Sequence, residues 1–130
     1  MSPDLKYLAF TALLTAALWI PYVVCQVLTK GAPTAQDYRD PTPPRLPLWG
    51  MRANRAHLNA VESFAPFAAL VVIAHLAGKA NGITAFWAMA FFWLRLAHAV
   101  VYLLAVPYLR TIIFTLGFIA VCGIFWEVVK

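Results

Sequence analysis

Arg52, Arg55, Asn59, Glu62 and Pro66 stand at i, i+3, i+7, i+10 and i+14, a spacing that keeps them on one face of a helix. Later in the chain Arg95, His98 and Tyr102 stand at i, i+3 and i+7, again on one face. Arg110 follows a short Pro107-Tyr108 turn. Guanidinium groups hold carboxylates through paired hydrogen bonds, and a positive surrounding favours thiolate over thiol. A cavity lined by these side chains is cationic with one carboxylate inside, which suits a ligand carrying carboxylates and an amine, and a thiol on such a ligand would be activated there. Glu62 and Arg95 are expected to pair, because each is otherwise an uncompensated charge in an apolar span. The same groups could instead satisfy only one another and tie helices together. The pattern alone leaves both readings open.

The rest of the chain decides what must position these groups. It has 130 residues, 63% hydrophobic and 12% charged, with a mean hydropathy of +0.77. A soluble domain is nearer half apolar and a quarter charged, so the composition is that of an all-α membrane protein of one domain. Cys25 and Cys122 lie in apolar runs without CxxC spacing and read as free thiols packed in helices. The sequence holds no metal-ligand cluster, Gly-rich phosphate loop or Ser/His/Asp arrangement. Its basic loop lacks the aromatic interleaving of a nucleic-acid surface.

Four apolar runs, at about 5–28, 54–76, 84–106 and 110–129, are each long enough to cross a bilayer. They make residues 1–130 a single four-helix transmembrane domain. The first run is too long, and its basic flank too weak, for a cleaved signal peptide. Pro21 is expected to kink it near its end, and Pro66 to kink the second beside Glu62. The loop Lys30–Trp49 holds Gly31, Pro33, Pro41, Pro43, Pro44 and Pro47, so it cannot be helical throughout. His75 reads as an interfacial residue, and Gly117 and Gly123 as points of close helix approach. Lys30, Arg39, Arg45, Arg52, Arg55 and Arg110 fall on the loop side. Only Lys6, Lys79 and Lys130 fall on the terminal side. That asymmetry puts the loop in the cytoplasm and both termini outside it.

The stretch Arg55-Ala56-His57-Leu58-Asn59-Ala60-Val61-Glu62, followed by Pro66, resembles the RAxxNxxE…P signature of the MAPEG proteins, the membrane-associated proteins of eicosanoid and glutathione metabolism. Arg95-Leu96-Ala97-His98 with Tyr102, Pro107 and Arg110 resembles their second motif, and the order of spans matches. The resemblance, to a short bacterial-type member, implies a homotrimer of four-helix bundles in the bacterial inner membrane, surrounded by membrane lipid. It implies glutathione as co-substrate, bound between subunits near the cytoplasmic face, and a hydrophobic or lipid electrophile, or a lipid hydroperoxide, as the second substrate. Arg55, Asn59 and Glu62 would contact glutathione from the second span, with Arg95 and His98 on the third. Arg110 would hold the thiolate, Tyr102 would offer a hydrogen bond, and Lys30 and Arg52 would reach the glutathione carboxylates. The alternative is a non-catalytic lipid-binding or scaffold protein. One such family member lacks the glutamate of this motif, so Glu62 together with Arg95 and Arg110 favours the glutathione-using branch.

Overall fold

The computed structural model describes residues 1–42 and 44–130; Pro43, counted with the loop, lies outside the described residues. Six helices follow one another: α1 (Pro3–Ala17), α2 (Trp19–Lys30), α3 (Ala35–Arg39), α4 (Leu48–Leu76), α5 (Gly82–Leu103) and α6 (Leu109–Val129). Among the described residues there is no strand. α1 and α2 together make one span, and four stretches are long and apolar enough to cross a membrane. The protein is therefore an all-α, four-span membrane protein.

The expected kink at Pro21 is a break three residues earlier, at Leu18. Proline has no N–H to donate four residues back, to Ala17, and Ala17 is the last residue of α1. Pro21 itself sits in the first turn of α2, where no N–H is required. Helix α4 begins at Leu48, six residues before the expected start, immediately after Pro47. Its 29 residues make a rod about 43 Å long, longer than the roughly 30 Å of hydrocarbon it must cross. The surplus turns carry Arg52 and Arg55 at the polar end. The helix continues through Pro66.

Local chemistry sets the other boundaries. Thr34 and Asp37 form a capping box that starts α3 inside the proline-rich loop. The Thr34 backbone N–H and hydroxyl, with Lys30 nearby, hold the Asp37 carboxyl below its ordinary range. Asn81 caps α5, its side-chain oxygen accepting from the Ile83 and Thr84 backbone N–H groups at 2.8 and 3.0 Å. Between α5 and α6, Ala105 and Tyr108 take positive φ values of 58° and 66°, an unfavourable conformation for residues with a Cβ. They make the turn that brings Arg110 back beside the end of α5.

The core lies between α4, α5 and α6. Phe67 and Phe91 stack with ring centroids 4.0 Å apart, and Val71, Ala88, Ala120 and Ile124 close around them. Helix α1 packs on α4 and α5, and α2 on α4. A Cβ at Gly50 would run into Cys25 Sγ, and one at Gly123 into the Trp87 indole, so both glycines mark close helix approaches. Cys25 is buried, Cys122 exposed, and both are free thiols.

At the terminal end, the buried Asp4 carboxylate meets His75 Nε2 at 2.8 Å, and Ser2 Oγ lies 3.2 Å from the same nitrogen. Thr84 Oγ1 donates to Asp4 over 3.5 Å. Asn81 and Lys130 donate to the buried Glu127 carboxylate at 2.8 and 3.0 Å. Both chain ends therefore meet the α4–α5 turn at one end of the bundle. The histidine expected at an interface is also the clamp that ties the first span to the second.

Candidate functional site

The opposite half of the bundle gathers the polar face. Helix α4 contributes Arg55, Asn59, Glu62 and Ser63, α5 contributes Arg95, His98 and Tyr102, and α6 contributes Arg110 and Thr111. Three adjoining cavities run along this face, and Asn59 lines all of them. The first, about 220 Å³, lies among Arg55, Leu58, Asn59, Glu62 and Tyr102. The second, about 190 Å³, lies among Asn59, His98, Tyr102, Arg110, Thr111 and Phe114. The third, about 290 Å³, continues along the helices from Glu62 and Arg95 to Pro66, Gly117 and Val121.

The two helical faces thus converge as their spacing predicts, but with a different internal partnership. Arg95 does not pair with Glu62. Its Nη2 donates to Asn59 Oδ1 at 2.6 Å, and among the described residues Arg95 and Glu62 form no ion pair. Arg95 is 5% exposed, and a buried guanidinium needs an acceptor; the Asn59 amide supplies it without a second charge. Glu62 is consequently left exposed at the cleft, with no ion pair among the described residues.

Arg110 is exposed at the start of α6, with its guanidinium 4.8 Å from the centre of the Tyr102 ring, a cation–π distance. His98 is buried, its ring 5.6 Å from Tyr102 and 6.2 Å from Phe114. His98 Nδ1 and Arg95 Nε are buried without a hydrogen-bond partner among the described residues. Buried donors or acceptors left unsatisfied in this way are costly.

Two predicted residues stand apart from the cleft. Arg52 Nε donates to the Leu103 carbonyl at 3.3 Å, which places its side chain on the end of α5. Lys30 lies 3.7 Å from Asp37 and lines a different cavity, between α2 and the proline-rich loop. Ser63, Phe114, Gly117 and Phe118 line the cleft and were not marked as site residues by the sequence. Their signal was position: Ser63 is one turn beyond Asn59, and Phe114, Gly117 and Phe118 share a face of the helix that Arg110 opens.

Cationic groups, one unpaired carboxylate and an apolar floor now stand in one cleft on a four-span bundle. The profile of the MAPEG family matches residues 5–130, nearly the whole chain. The chain belongs to the MAPEG family. No curated protein matches it. Membership in this membrane family agrees with the four apolar spans. Both MAPEG motifs lie on its walls, the first on α4 and the second across α5 and the start of α6.

Proposed function

We propose that this protein is a membrane glutathione transferase or peroxidase acting on hydrophobic electrophiles or lipid hydroperoxides. The observation that supports it most directly is the convergence of Arg55, Asn59, Glu62, Tyr102 and Arg110 on adjoining cavities that lead into an apolar one. Arg55 meets a glutathione carboxylate, Glu62 its amine, and Arg110 the sulfur. Arg95 and His98 shape the wall, with Tyr102 offering a hydroxyl to the reacting group. In transfer, the thiolate sulfur attacks the electrophilic carbon, an S–C bond forms, and the leaving group departs with its electron pair. In peroxide reduction, the sulfur attacks one peroxide oxygen and the O–O bond breaks. The alkoxide takes a proton, and a second glutathione converts the sulfenic acid to disulfide and water.

The working unit of this proposal is a homotrimer. Lys30 lies on α2 away from its own cleft, so it reaches glutathione only if a neighbouring copy presents that end of α2. The cleft faces the cytoplasm and both termini lie on the other side; a C-terminal reporter active only in the cytoplasm should stay silent, and a strong signal would reverse this orientation. Detergent-solubilised protein should bind glutathione, shift its thiol absorbance towards thiolate and conjugate a chlorodinitrobenzene. Mass measurement in mild detergent should give a trimer. A monomer under those conditions rules out the inter-subunit site. Glutathione binding with no conjugation or peroxidase turnover would favour the lipid-binding scaffold instead.

A further inference from the structure

Arg52 shares its helical face with Arg55 but lines none of the three cavities. Its Nε donates instead to the Leu103 carbonyl at 3.3 Å. The reason lies in how α5 ends. The last four carbonyls of a helix have no intrahelical donor. Those of Val100, Val101 and Tyr102 are taken by the backbone N–H groups of Leu104, Val106 and Ala105, at 3.0, 3.2 and 3.2 Å. The last two bonds make a Schellman cap. The Leu103 carbonyl would need the N–H of residue 107, which is Pro107 and has none. Among the described residues no backbone N–H reaches it. Arg52 supplies the missing donor, and its positive charge suits the C-terminal end of a helix.

The turn that follows is strained. Ala105 holds the left-handed position of the cap at φ 58°, a place glycine normally takes. Tyr108 has φ 66° and ψ −41°, and the Leu109 N–H donates back to the Pro107 carbonyl at 2.7 Å. That is a γ-turn of the rare positive-φ form. Such conformations persist only where the surroundings impose them. The Thr111 and Ile112 N–H groups then bond the Tyr108 carbonyl at 3.1 and 3.2 Å and start α6, with Arg110 in its first turn. The Arg110 guanidinium lies 4.8 Å from the Tyr102 ring centre. Tyr102 immediately precedes Leu103, so this contact joins the two ends of the same turn.

We propose that Arg52 is a positioning residue for Arg110. By holding Leu103 it keeps the strained turn closed, and so keeps the Arg110 guanidinium over Tyr102, without touching glutathione itself. As an account of turnover the proposal rests on the glutathione reading; as an account of the turn it does not.

The contact is made by Nε, so two substitutions separate the donor from the bulk. Gln Nε2 stands as many bonds from the backbone as Arg Nε and keeps an N–H; Met has similar length and no donor. In the full chain in lipid nanodiscs, Arg52→Met should lower kcat for glutathione and a chlorodinitrobenzene at least about fivefold at neutral pH, since a misplacement of about 1 Å can cost up to about a hundredfold. Its glutathione Kd should stay within about twofold, because the lost effect lies in the reacting form. The deficit should shrink as pH rises and thiolate forms unaided. Arg52→Gln should recover at least about half of the unsubstituted kcat, having kept the hydrogen bond. In an Arg110→Ala background, Arg52→Met should cost less than about twofold more, since both act through one group. A Kd raised about tenfold in both Arg52 variants with kcat unchanged gives Arg52 to a glutathione carboxylate; it overturns the proposal and leaves the glutathione reading intact. A full further loss in the Arg110→Ala background also overturns it.

Hydrogen exchange of residues 104–112 gives a readout that needs no turnover. It should be at least about tenfold faster in Arg52→Met than in Arg52→Gln or the unsubstituted protein, as expected when a charge-assisted bond closing a local opening is lost. That difference in a protein that neither binds nor turns over glutathione upholds the turn contact and removes the glutathione reading. Equal exchange in all three overturns the turn contact. If Arg52→Met does not assemble, Arg52→Gln decides: exchange, kcat and Kd close to those of the unsubstituted protein uphold the proposal, and a loss of glutathione binding overturns it.

Discussion

Replacing Arg110 with alanine should lower glutathione conjugation at neutral pH by tenfold or more while weakening glutathione binding only modestly. The guanidinium is exposed at the mouth of α6 and makes its close contact with the Tyr102 ring, so its loss strands no charge in the bundle. Arg55 and Glu62, the groups proposed to hold the tripeptide, remain. What disappears is the positive group assigned to the sulfur. An unperturbed thiol, with a pKa of about 8.5, is only about 3% ionised at pH 7. Lowering that pKa by two units, worth about 2.7 kcal/mol, makes roughly three-quarters of it thiolate. Removing the lowering therefore costs about 25-fold in the reactive species. A contact made chiefly with the reacting form lowers kcat more than it raises KM. The sign with pH follows: the variant's bound thiol titrates higher, so its deficit should be largest near neutrality and shrink as pH rises past the free-thiol range. Parallel pH–rate and binding curves check this. A fully active Arg110→Ala, with Tyr102→Phe or His98→Ala inactive, would move the thiolate contact to the α5 wall.

The second large effect concerns assembly. Asn59→Leu should destabilise the protein by about 3 kcal/mol, the cost of leaving a buried charged donor without its acceptor, or a fall in Tm on the order of 10 °C. The leucine keeps the branched side-chain skeleton, with bulkier methyl ends, but removes the oxygen 2.6 Å from Arg95 Nη2. Glu62→Ala should behave oppositely. Glu62 is exposed and has no ion pair among the described residues, so Tm should move by no more than about 2 °C while glutathione binding weakens. Thermal unfolding of both variants in one detergent separates the two roles. A severe loss in Glu62→Ala with a mild one in Asn59→Leu would restore Glu62 as the partner of Arg95.

Much of this site was legible before any coordinates. The spacing from Arg52 to Pro66 and from Arg95 to Tyr102 places each set on one face because helical periodicity is a local property. Hydropathy likewise marks four spans, since crossing a bilayer demands a run of apolar residues wherever it occurs. Boundaries were less legible where polar residues continue a helix beyond the hydrocarbon, as in α4 before Asn54. Even the break in the first span belongs to the local chemistry of Pro21, displaced to Leu18 only because the missing hydrogen bond falls one turn back.

The partnerships were not local. Counting in opposite directions from the Phe67–Phe91 stack brings Arg95 level with Ser63, within about one turn of both Asn59 and Glu62. Charge alone selects Glu62, and only the rotation of α4 against α5 hands the guanidinium to Asn59. The same holds for Asp4 and His75, 71 positions apart and 2.8 Å from each other. It holds too for Gly117 and Gly123: a Cβ at Gly123 would run into Trp87, and one at Gly117 would meet no heavy atom within 4 Å. By itself the sequence determined which faces are polar, how many spans carry them and which family they belong to, because each follows from period, apolar length or motif spacing. The tertiary structure alone decided which polar group satisfies which and which glycine meets a neighbour, because a pairing or a close approach depends on the relative rotation and depth of two packed helices, quantities that neither helix encodes alone.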